Sequence, residues 1–303
     1  MIISASRRTD VPAFYSDWFM KRIEAGHCDV PNPFNPAQVT KVSLKPEDVD
    51  VLVFWTRNAS PLMPHLKELE RKGHRYTFLY TLMDNPRLID PKCPSLKEAL
   101  ATFKALSDRI GPERVLWRYD PIVFSNATNP EFHKKTYETI AKLLRGYTSR
   151  SIISLVTVYR KVRQRLAALR QAGIDLTECE GEAFVDLMTF MACTARENDM
   201  TLLSCAQERD LVPYGILPGK CIDDGLIREV FELEVSPTKD PSQRKACGCV
   251  VSKDIGMYDS CLYGCLYCYA TNSFEKAKEN YRRHDPEAPS LLPARGFISQ
   301  SSS

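Results

Sequence analysis

The chain has 303 residues, of which 44% are apolar and 26% are charged, and its formal net charge is +3. This composition is sufficient for a large apolar core and argues against general disorder. The nearly balanced charge gives no indication of a nucleic-acid partner, and no apolar run approaches the roughly 18 residues of a membrane-spanning helix.

The N-terminus and the cysteine content together predict the compartment. Residues 1–10 contain no apolar stretch long enough for a signal peptide. The eleven cysteines are therefore expected to be reduced thiols of a cytoplasmic protein rather than disulfides of a secreted one.

Short β-branched or aromatic runs alternate with amphipathic stretches along the first 235 residues. This alternation is typical of a parallel sheet whose strands are connected by helices. Strands are predicted over residues 2–5, 51–55, 76–81, 115–119, 152–156 and 200–204. Helices are predicted over residues 12–25, 61–72, 96–110, 130–145, 161–171, 183–197 and 224–233.

These elements form about six βα units, fewer than the eight of a complete TIM barrel. We predict an α/β fold in which residues 1–235 form a partial (βα)6 TIM-like barrel and residues 236–282 form a cysteine-rich segment packed over the barrel mouth. Residues 283–303 are rich in Pro, Ser and charge and are predicted to be a flexible tail. An open doubly wound sheet is the alternative, which periodicity alone does not exclude.

Polar residues follow several predicted strands, at the end of the sheet where ligands bind in both architectures. Thr56, Arg57 and Asn58 close the second strand, and Arg118 and Asp120 lie on one face of the fourth. Taken singly, an Asp after a strand is often a helix N-cap, and an Arg is often part of a surface ion pair. Their recurrence at one end of the sheet favours a ligand site, with Arg118 and Asp120 as substrate or cofactor contacts.

Cys247 and Cys249 are separated by one glycine, which allows both sulfurs to reach a single metal. Together with Cys205 and Cys221 they could complete an auxiliary iron–sulfur cluster or a structural zinc site. The alternative is that the four are scattered buried thiols that pack like small apolar side chains. The other cysteines outside the C-terminal loop have no metal-like spacing: Cys28, Cys93, Cys179 and Cys193.

The most specific motif is the loop Cys261-x3-Cys265-x2-Cys268, with Tyr267 immediately before its last cysteine. Thiolates are the ligands that iron–sulfur clusters favour, and three cysteines on a short loop can each bind one iron of a [4Fe-4S] cluster. The fourth iron would then be open to a reactant. Zinc is the alternative metal, although zinc sites more often show two pairs of ligands.

This loop resembles the signature of the radical S-adenosylmethionine (SAM) enzymes, and Cys261, Cys265, Tyr267 and Cys268 carry the resemblance. The resemblance implies a partial barrel of the radical SAM type and a [4Fe-4S] cluster whose open iron binds SAM. It implies reductive cleavage of SAM to a 5′-deoxyadenosyl radical, with Tyr267 near the adenine. It also implies an electron donor such as flavodoxin or ferredoxin.

The chain departs from that superfamily in two respects. Its cysteine loop comes near the end of the chain rather than after the first strand, and no Gly-Gly-Glu stretch is present to bind the SAM amino group. Thr56, Arg57 and Asn58 occupy the analogous strand end. Through residues 4–10, 54–58 and 117–121 and its terminal cysteines, the whole chain resembles an uncharacterised bacterial family, known only as a domain of unknown function with a radical-SAM-like cysteine cluster at its C-terminus.

Three hypotheses for the function follow. The first is a radical SAM-type enzyme acting on a substrate that the sequence does not identify. The second is an iron–sulfur protein for electron transfer or sensing, in which Cys247 or Cys249 supplies a fourth thiolate. The third is a barrel protein stabilised by zinc.

Overall fold

The computed structural model describes residues 1–292, apart from the side chain of Lys161. The strands of this part are β1 (Ile2–Ala5), β2 (His27–Pro31), β3 (Val39–Ser43), β4 (Val51–Thr56), β5 (Tyr76–Thr81), β6 (Val115–Ile122), β7 (Arg150–Leu155), β8 (Thr201–Cys205), β9 (Leu217–Gly219) and β10 (Lys253–Asp254). Its α-helices are α1 (Val11–Phe14), α2 (Ser16–Ala25), α3 (Leu66–Arg71), α4 (Leu96–Ile110), α5 (Pro130–Leu144), α6 (Arg163–Gln171), α7 (Gly181–Glu197), α8 (Asp224–Phe231) and α9 (Phe274–Arg282). Of these helices, none combines the length and the apolarity needed to cross a membrane.

Eight of the strands form one sheet in the order β10-β1-β4-β5-β6-β7-β8-β9. All neighbouring strands in it run parallel. From β1 to β9 the order follows the chain without a reversal, whereas a doubly wound sheet reverses its order at a switch point. Strands β9 and β10 are the two edges, and β2 and β3 form a separate antiparallel hairpin.

The two faces of the sheet are covered differently, because alternate residues of a strand point to opposite sides. On one side, the helix face, Phe54, Phe78 and Trp117 are fully buried in a core shared with α2, α3, α4, α5 and α7. On the other side, the thiol face, Val53 and Leu79 pack in a cluster with four cysteines and α8. The connecting helices therefore lie largely on one side, and the cysteine-rich segment covers the other.

Helix α4 shows how the sequence determines an element. Ser95 accepts a hydrogen bond from the Glu98 backbone N–H, and the Glu98 carboxylate accepts one from the Ser95 N–H over 2.9 Å, which forms a capping box. Gly111 follows the last turn. The residues that the helix buries recur at helical spacing: Ala99, Phe103, Leu106 and Ile110.

The α/β fold with a parallel sheet is confirmed, and β1, β5 and α4 have the predicted bounds. The helix predicted over residues 12–25 is interrupted at Tyr15 and becomes α1 and α2. Strands β9 and β10, of 3 and 2 residues, increase the six predicted strands of the sheet to eight. These edge strands, like the hairpin of β2 and β3, lack the apolar runs by which strands are predicted.

Part of the predicted tail contacts the helix face. Trp18 Nε1 donates a hydrogen bond to the Ala288 carbonyl over 3.0 Å, and Arg22 donates one to the Glu287 carbonyl over 3.0 Å. Leu291 is only 1% exposed. The remainder of the predicted tail, residues 293–303, lies outside the described residues.

Candidate functional site

The candidate site lies at the carboxyl ends of the parallel strands. Arg57 directly follows β4, and Asp90 and Cys93 lie in the connection between β5 and α4. The cysteine loop packs against this connection, because the Leu266 backbone N–H donates to the Ile89 carbonyl over 3.1 Å. Backbone hydrogen bonds thus fix a segment from the end of the chain at the end of the sheet where ligands are expected.

The loop thiols lie beside a cysteine that the sequence analysis did not connect with a metal. Cys265 Sγ is 3.7 Å from Cys93 Sγ, and both residues are buried. Burial raises the pKa of the Cys261 thiol, and the nearby Cys268 and Cys93 sulfurs raise it further. We call Cys93 and the three loop cysteines, Cys261, Cys265 and Cys268, the loop cluster. Of these four, only Cys93 and Cys265 belong to a described group of three ligand atoms that all lie within 4.8 Å of one another. A metal would reverse these shifts, because a cation stabilises neighbouring thiolates.

Asp90 joins two of these thiols in a compact group of potential metal ligands. The ligand atoms of Asp90, Cys93 and Cys265 all lie within 4.8 Å of one another, and the three residues are buried. Asp90 Oδ2 accepts hydrogen bonds from the Tyr267 hydroxyl over 3.0 Å and from Asn85 Nδ2 over 2.9 Å. Within the described part of the chain, Asp90 Oδ1 accepts none. A buried carboxylate oxygen left in this way is available to a cation or a donor group of a ligand.

Of the four residues predicted to contact SAM, two lie at the cysteine loop and two lie in the turn after β4. Arg57 donates a hydrogen bond to the Tyr267 hydroxyl, and its Nη1 lies 3.5 Å from Asp90 Oδ2. Thr56 and Asn58 instead shape the turn after β4. Thr56 Oγ1 accepts from the Asn58 N–H over 2.9 Å, and Asn58 Oδ1 accepts from the backbone N–H two residues later. Arg57 and Tyr267 are therefore brought together at the cysteine loop, whereas Thr56 and Asn58 bond within their own turn.

Arg118 and Asp120, the predicted substrate contacts, form an ion pair on the thiol face of β6. Ser154 of β7 also donates a hydrogen bond to Asp120. The Arg118 guanidinium lies over the Trp55 ring at 4.7 Å from its centroid, and Arg7 approaches the same ring at 5.4 Å. Two cations therefore lie over one aromatic ring on this face, and a carboxylate pairs with one of them.

The four cysteines of the predicted second metal site also meet on the thiol face. Cys205 Sγ, at the end of β8, is 3.2 Å from Cys221 Sγ. Hydrogen bonds from Cys221 and Cys247 lower the pKa of the Cys249 thiol, and Cys249 Sγ also accepts from the Ile222 N–H over 3.4 Å. We call Cys205, Cys221, Cys247 and Cys249 the inner cluster. It shares no residue with the loop cluster.

Asp254 of β10 connects the cysteine-rich segment to the end of β1. Its carboxylate accepts hydrogen bonds from Ser6 Oγ over 2.7 Å, from the Arg7 backbone N–H over 2.8 Å and from Arg8 Nε over 3.0 Å. Gly256 follows, and a Cβ at this position would overlap the Ser6 side chain. This close approach explains the glycine and positions Arg7 beside Trp55.

Asp10, in the connection after β1, is a candidate acid or base. Burial raises its pKa to about 7, although hydrogen bonds from the backbone N–H groups of Arg57 and Ala13 lower it. A carboxyl that titrates near neutral pH can accept or donate a proton in a reaction.

A cavity of about 700 Å³ opens beside the loop cluster. Cys93 and Tyr263 line it together with Asn58, Lys92 and Glu98. Its volume lies within the range of about 300–1,000 Å³ that is usual for small-molecule sites. One member of the loop cluster therefore borders a space large enough for a ligand.

A family described as "Domain of unknown function (DUF1848)" matches residues 2–270, a range that includes both thiol clusters and the polar strand ends. No curated protein and no solved structure matches the chain.

Proposed function

We propose that this chain, which belongs to the DUF1848 family, is a radical SAM-like iron–sulfur enzyme whose substrate binds at the carboxyl ends of the strands. The observation that carries the proposal is the position of the cysteine loop. A motif from the end of the chain lies over the end of the sheet where Arg57 and Asp90 follow their strands. When bound, a [4Fe-4S] cluster with SAM would supply 5′-deoxyadenosyl radical chemistry.

We further propose that the sheet is the wall of an open, partial TIM-like barrel. The strand order without a reversal supports this, and so does the packing of α2, α3, α4, α5 and α7 on a single face. In a doubly wound sheet, helices cover both faces. In a barrel they form an outer ring, and the opposite face lines the interior. The thiol face would then be the interior, with Arg118 and Asp120 directed into it.

The residues of the site have separable roles in this proposal. Cys261, Cys265 and Cys268 would hold the cluster, since thiolates are the donors it prefers. Tyr267 would keep the loop in place through its hydroxyl hydrogen bond to Asp90. Arg118 would bind a polar group of SAM or substrate, because its Nε is buried and donates to no other described residue. The burial of these groups would exclude water from a reactive radical.

The test is anaerobic reconstitution with iron and sulfide, followed by EPR of the dithionite-reduced protein with and without SAM. We expect SAM to shift the signal of the reduced cluster, and we expect 5′-deoxyadenosine to form. Cys265→Ser should abolish both results. Cys193→Ser is the matched control, because Cys193 is a half-buried thiol of α7 outside both clusters. A fully loaded cluster that responds to SAM in neither assay would overturn the proposal, as would stoichiometric zinc with little iron in the loop cluster.

A second candidate function, electron transfer or sensing, is favoured by one specific observation. Cys93, at 3.7 Å from Cys265, could supply the fourth thiolate that closes the cluster to SAM. Cys247 and Cys249, the residues predicted to do this, contact each other and lie in the inner cluster. If Cys93 is a ligand, Cys93→Ser should change the spectrum of the reduced cluster, and the wild-type spectrum should not respond to SAM. If the iron is open, the variant should retain both the cluster and the SAM response.

A further inference from the structure

We propose that the inner cluster is a second metal centre, closed by the four thiolates of Cys205, Cys221, Cys247 and Cys249. The four cysteines would bind a thiophilic metal, either a single zinc ion or an iron–sulfur cluster, since both bind four cysteines. The proposal goes beyond the radical chemistry proposed for the loop cluster and does not depend on it.

The convergence of these residues is the first argument. They come from three separate places in the chain: Cys205 at the end of β8, Cys221 between β9 and α8, and the Cys247–Cys249 pair before β10. All four are buried, with 1% to 9% of their surface exposed. Simple packing would be better served by aliphatic side chains, which fill more volume than a thiol. Four sulfurs brought from distant segments into successive contact, Cys205 with Cys221, Cys221 with Cys249 and Cys249 with Cys247, are instead the arrangement of a ligand set.

The spacing of the sulfurs is compatible with a common metal. Cys205 Sγ and Cys221 Sγ are 3.2 Å apart. A tetrahedral ion with metal–sulfur bonds of about 2.3 Å separates its sulfurs by about 3.8 Å. Among the described residues no three of the four sulfurs lie within 4.8 Å of one another. A zinc ion would therefore draw the outer sulfurs inward, whereas an iron–sulfur cluster binds each cysteine to a separate iron and leaves its sulfurs farther apart. The Ile222 N–H, directed at Cys249 Sγ over 3.4 Å, is an additional donor of the kind that stabilises metal-bound thiolates.

The charges around the cluster match a thiolate centre. Four thiolates around a metal centre of charge two plus leave two negative charges, and two arginines face them. The Arg7 side chain lies within hydrogen-bonding distance of Cys249. Arg118, paired with Asp120, lies over the Trp55 ring on the same face. Arg118 is already paired with Asp120, and Asp254, the carboxylate near Arg7, is shared with Arg8. Thiolates would supply further negative charge beside Arg7.

The location of the cluster suggests what the metal does. Within the described chain, residues 232–252 form neither a helix nor a strand, and their β-pairing is limited to the isolated bridge between Lys239 and Val250. A metal bound by Cys247 and Cys249 would fasten this segment to the end of β8 through Cys205. Because Arg7 and Arg118 contact Trp55 on the same face, the centre would also fix the cations of the candidate site.

The test removes the cysteines of the loop, so that any metal that remains belongs to the inner cluster. In the full chain, Cys261→Ser, Cys265→Ser and Cys268→Ser are combined, and the metal retained after anaerobic purification is measured by mass spectrometry. We expect one zinc ion or the iron of one cluster per chain. The identity of the metal shows whether the inner cluster binds zinc or an iron–sulfur cluster. Adding Cys249→Ser should lower this content at least tenfold, whereas adding Cys193→Ser should leave it unchanged. Equal metal in these two variants would overturn the proposal.

A cobalt titration of the metal-stripped wild-type chain covers the case in which a variant fails to fold. Co²⁺ bound by thiolates in a tetrahedral site shows strong sulfur-to-metal charge-transfer bands and intense visible bands. We expect both with the wild-type chain and with Cys265→Ser, whose loop cluster is incomplete. A wild-type chain that binds no Co²⁺ through sulfur, or that contains a disulfide between Cys205 and Cys221 when isolated under reducing conditions, would contradict a metal centre. Neither result depends on SAM cleavage, so the two proposals fail separately.

Discussion

Trp117 and Trp55 show how differently the two faces of one sheet are used. Trp117, on the helix face, is fully buried, stacks on Tyr137 at 4.7 Å and donates its Nε1–H to the Leu82 carbonyl over 2.9 Å. Trp55, on the thiol face, lies under the guanidinium groups of Arg7 and Arg118. Its Nε1 is buried and has no acceptor among the described residues. The first ring completes a core, whereas the second is surrounded by charge.

The proposed function places the chemistry on the thiol face, opposite the apolar core of the helix face. Three donors around Trp55 are buried without a partner in the described chain: Arg7 Nη2, Trp55 Nε1 and Arg118 Nε. Each such atom costs about 1–3 kcal/mol when it is left unsatisfied. A cost of this size concentrated in one place is expected where a ligand provides the missing acceptors. These donors are free to bind the ligand that the proposed function places on the thiol face.

The largest effect on stability is expected for Trp117→Ala. Removing a fully buried indole leaves a cavity beside Tyr137 and an unpaired carbonyl at Leu82, so the free energy of unfolding should fall by about 3–5 kcal/mol. Trp55→Ala is the matched variant, and it should cost less than about 2 kcal/mol because the ring contributes mainly cation–π contacts. Urea denaturation followed by circular dichroism measures both values. A larger loss for Trp55→Ala than for Trp117→Ala would contradict the division between the two faces.

The next effect concerns the ion pair on the thiol face. Arg118→Met leaves Asp120 buried without its partner, and the expected loss of unfolding free energy is about 3 kcal/mol, near the lower end of the range for buried pairs. The side chains are 14% and 10% exposed, which limits the penalty. The double variant Arg118→Met/Asp120→Asn should recover at least half of the loss, since the remaining group is then neutral. If the double variant is as unstable as the single one, the carboxylate charge is not the cause.

Most of the fold could be predicted because its signals are local. The capping box at Ser95, the helical spacing of buried residues in α4 and Gly111 after it define that helix from the sequence alone. Strands β1 and β5 are mostly apolar or aromatic, interrupted only by Ser or Thr, as expected for strands buried on both faces. Strand β10 could not be predicted, because Lys253 and Asp254 pair with β1 through their backbones and carry no apolar pattern.

The candidate site could be predicted only where its residues are close in sequence. The spacing of Cys261, Cys265 and Cys268 identified the cysteine loop. Cys93 was missed because it precedes Cys265 by 172 residues, and no local pattern links two side chains so far apart. The same limit applies to Asp90, which meets Tyr267 only through the fold. The four cysteines of the inner cluster were proposed as one site from the sequence. Their contacts with one another are seen only in the folded chain.

The smallest expected effect is a change of stability with pH, caused by a histidine on the helix face. His133 is buried, with its Nδ1 2.8 Å from the Tyr119 hydroxyl and its Nε2 3.1 Å from the Val123 carbonyl. Burial lowers the pKa of His133 from 6.5 to about 4, although the backbone contact at Val123 raises it slightly. Because the unfolded chain binds the proton more tightly, stability should be lost as the pH falls from about 6.5 towards 4.

Between pH 7 and pH 5, this one group should reduce the free energy of unfolding by about 2 kcal/mol. Urea denaturation of the wild-type chain and of His133→Gln at both pH values isolates the effect, since other titrating groups contribute equally to the two proteins. The wild-type chain should lose about 2 kcal/mol more than the variant over this interval. Parallel pH profiles would show that the pKa of His133 does not differ between the folded and unfolded chains. The metal content at pH 7 should be the same in both proteins, because His133 lies on the helix face and touches neither thiol cluster.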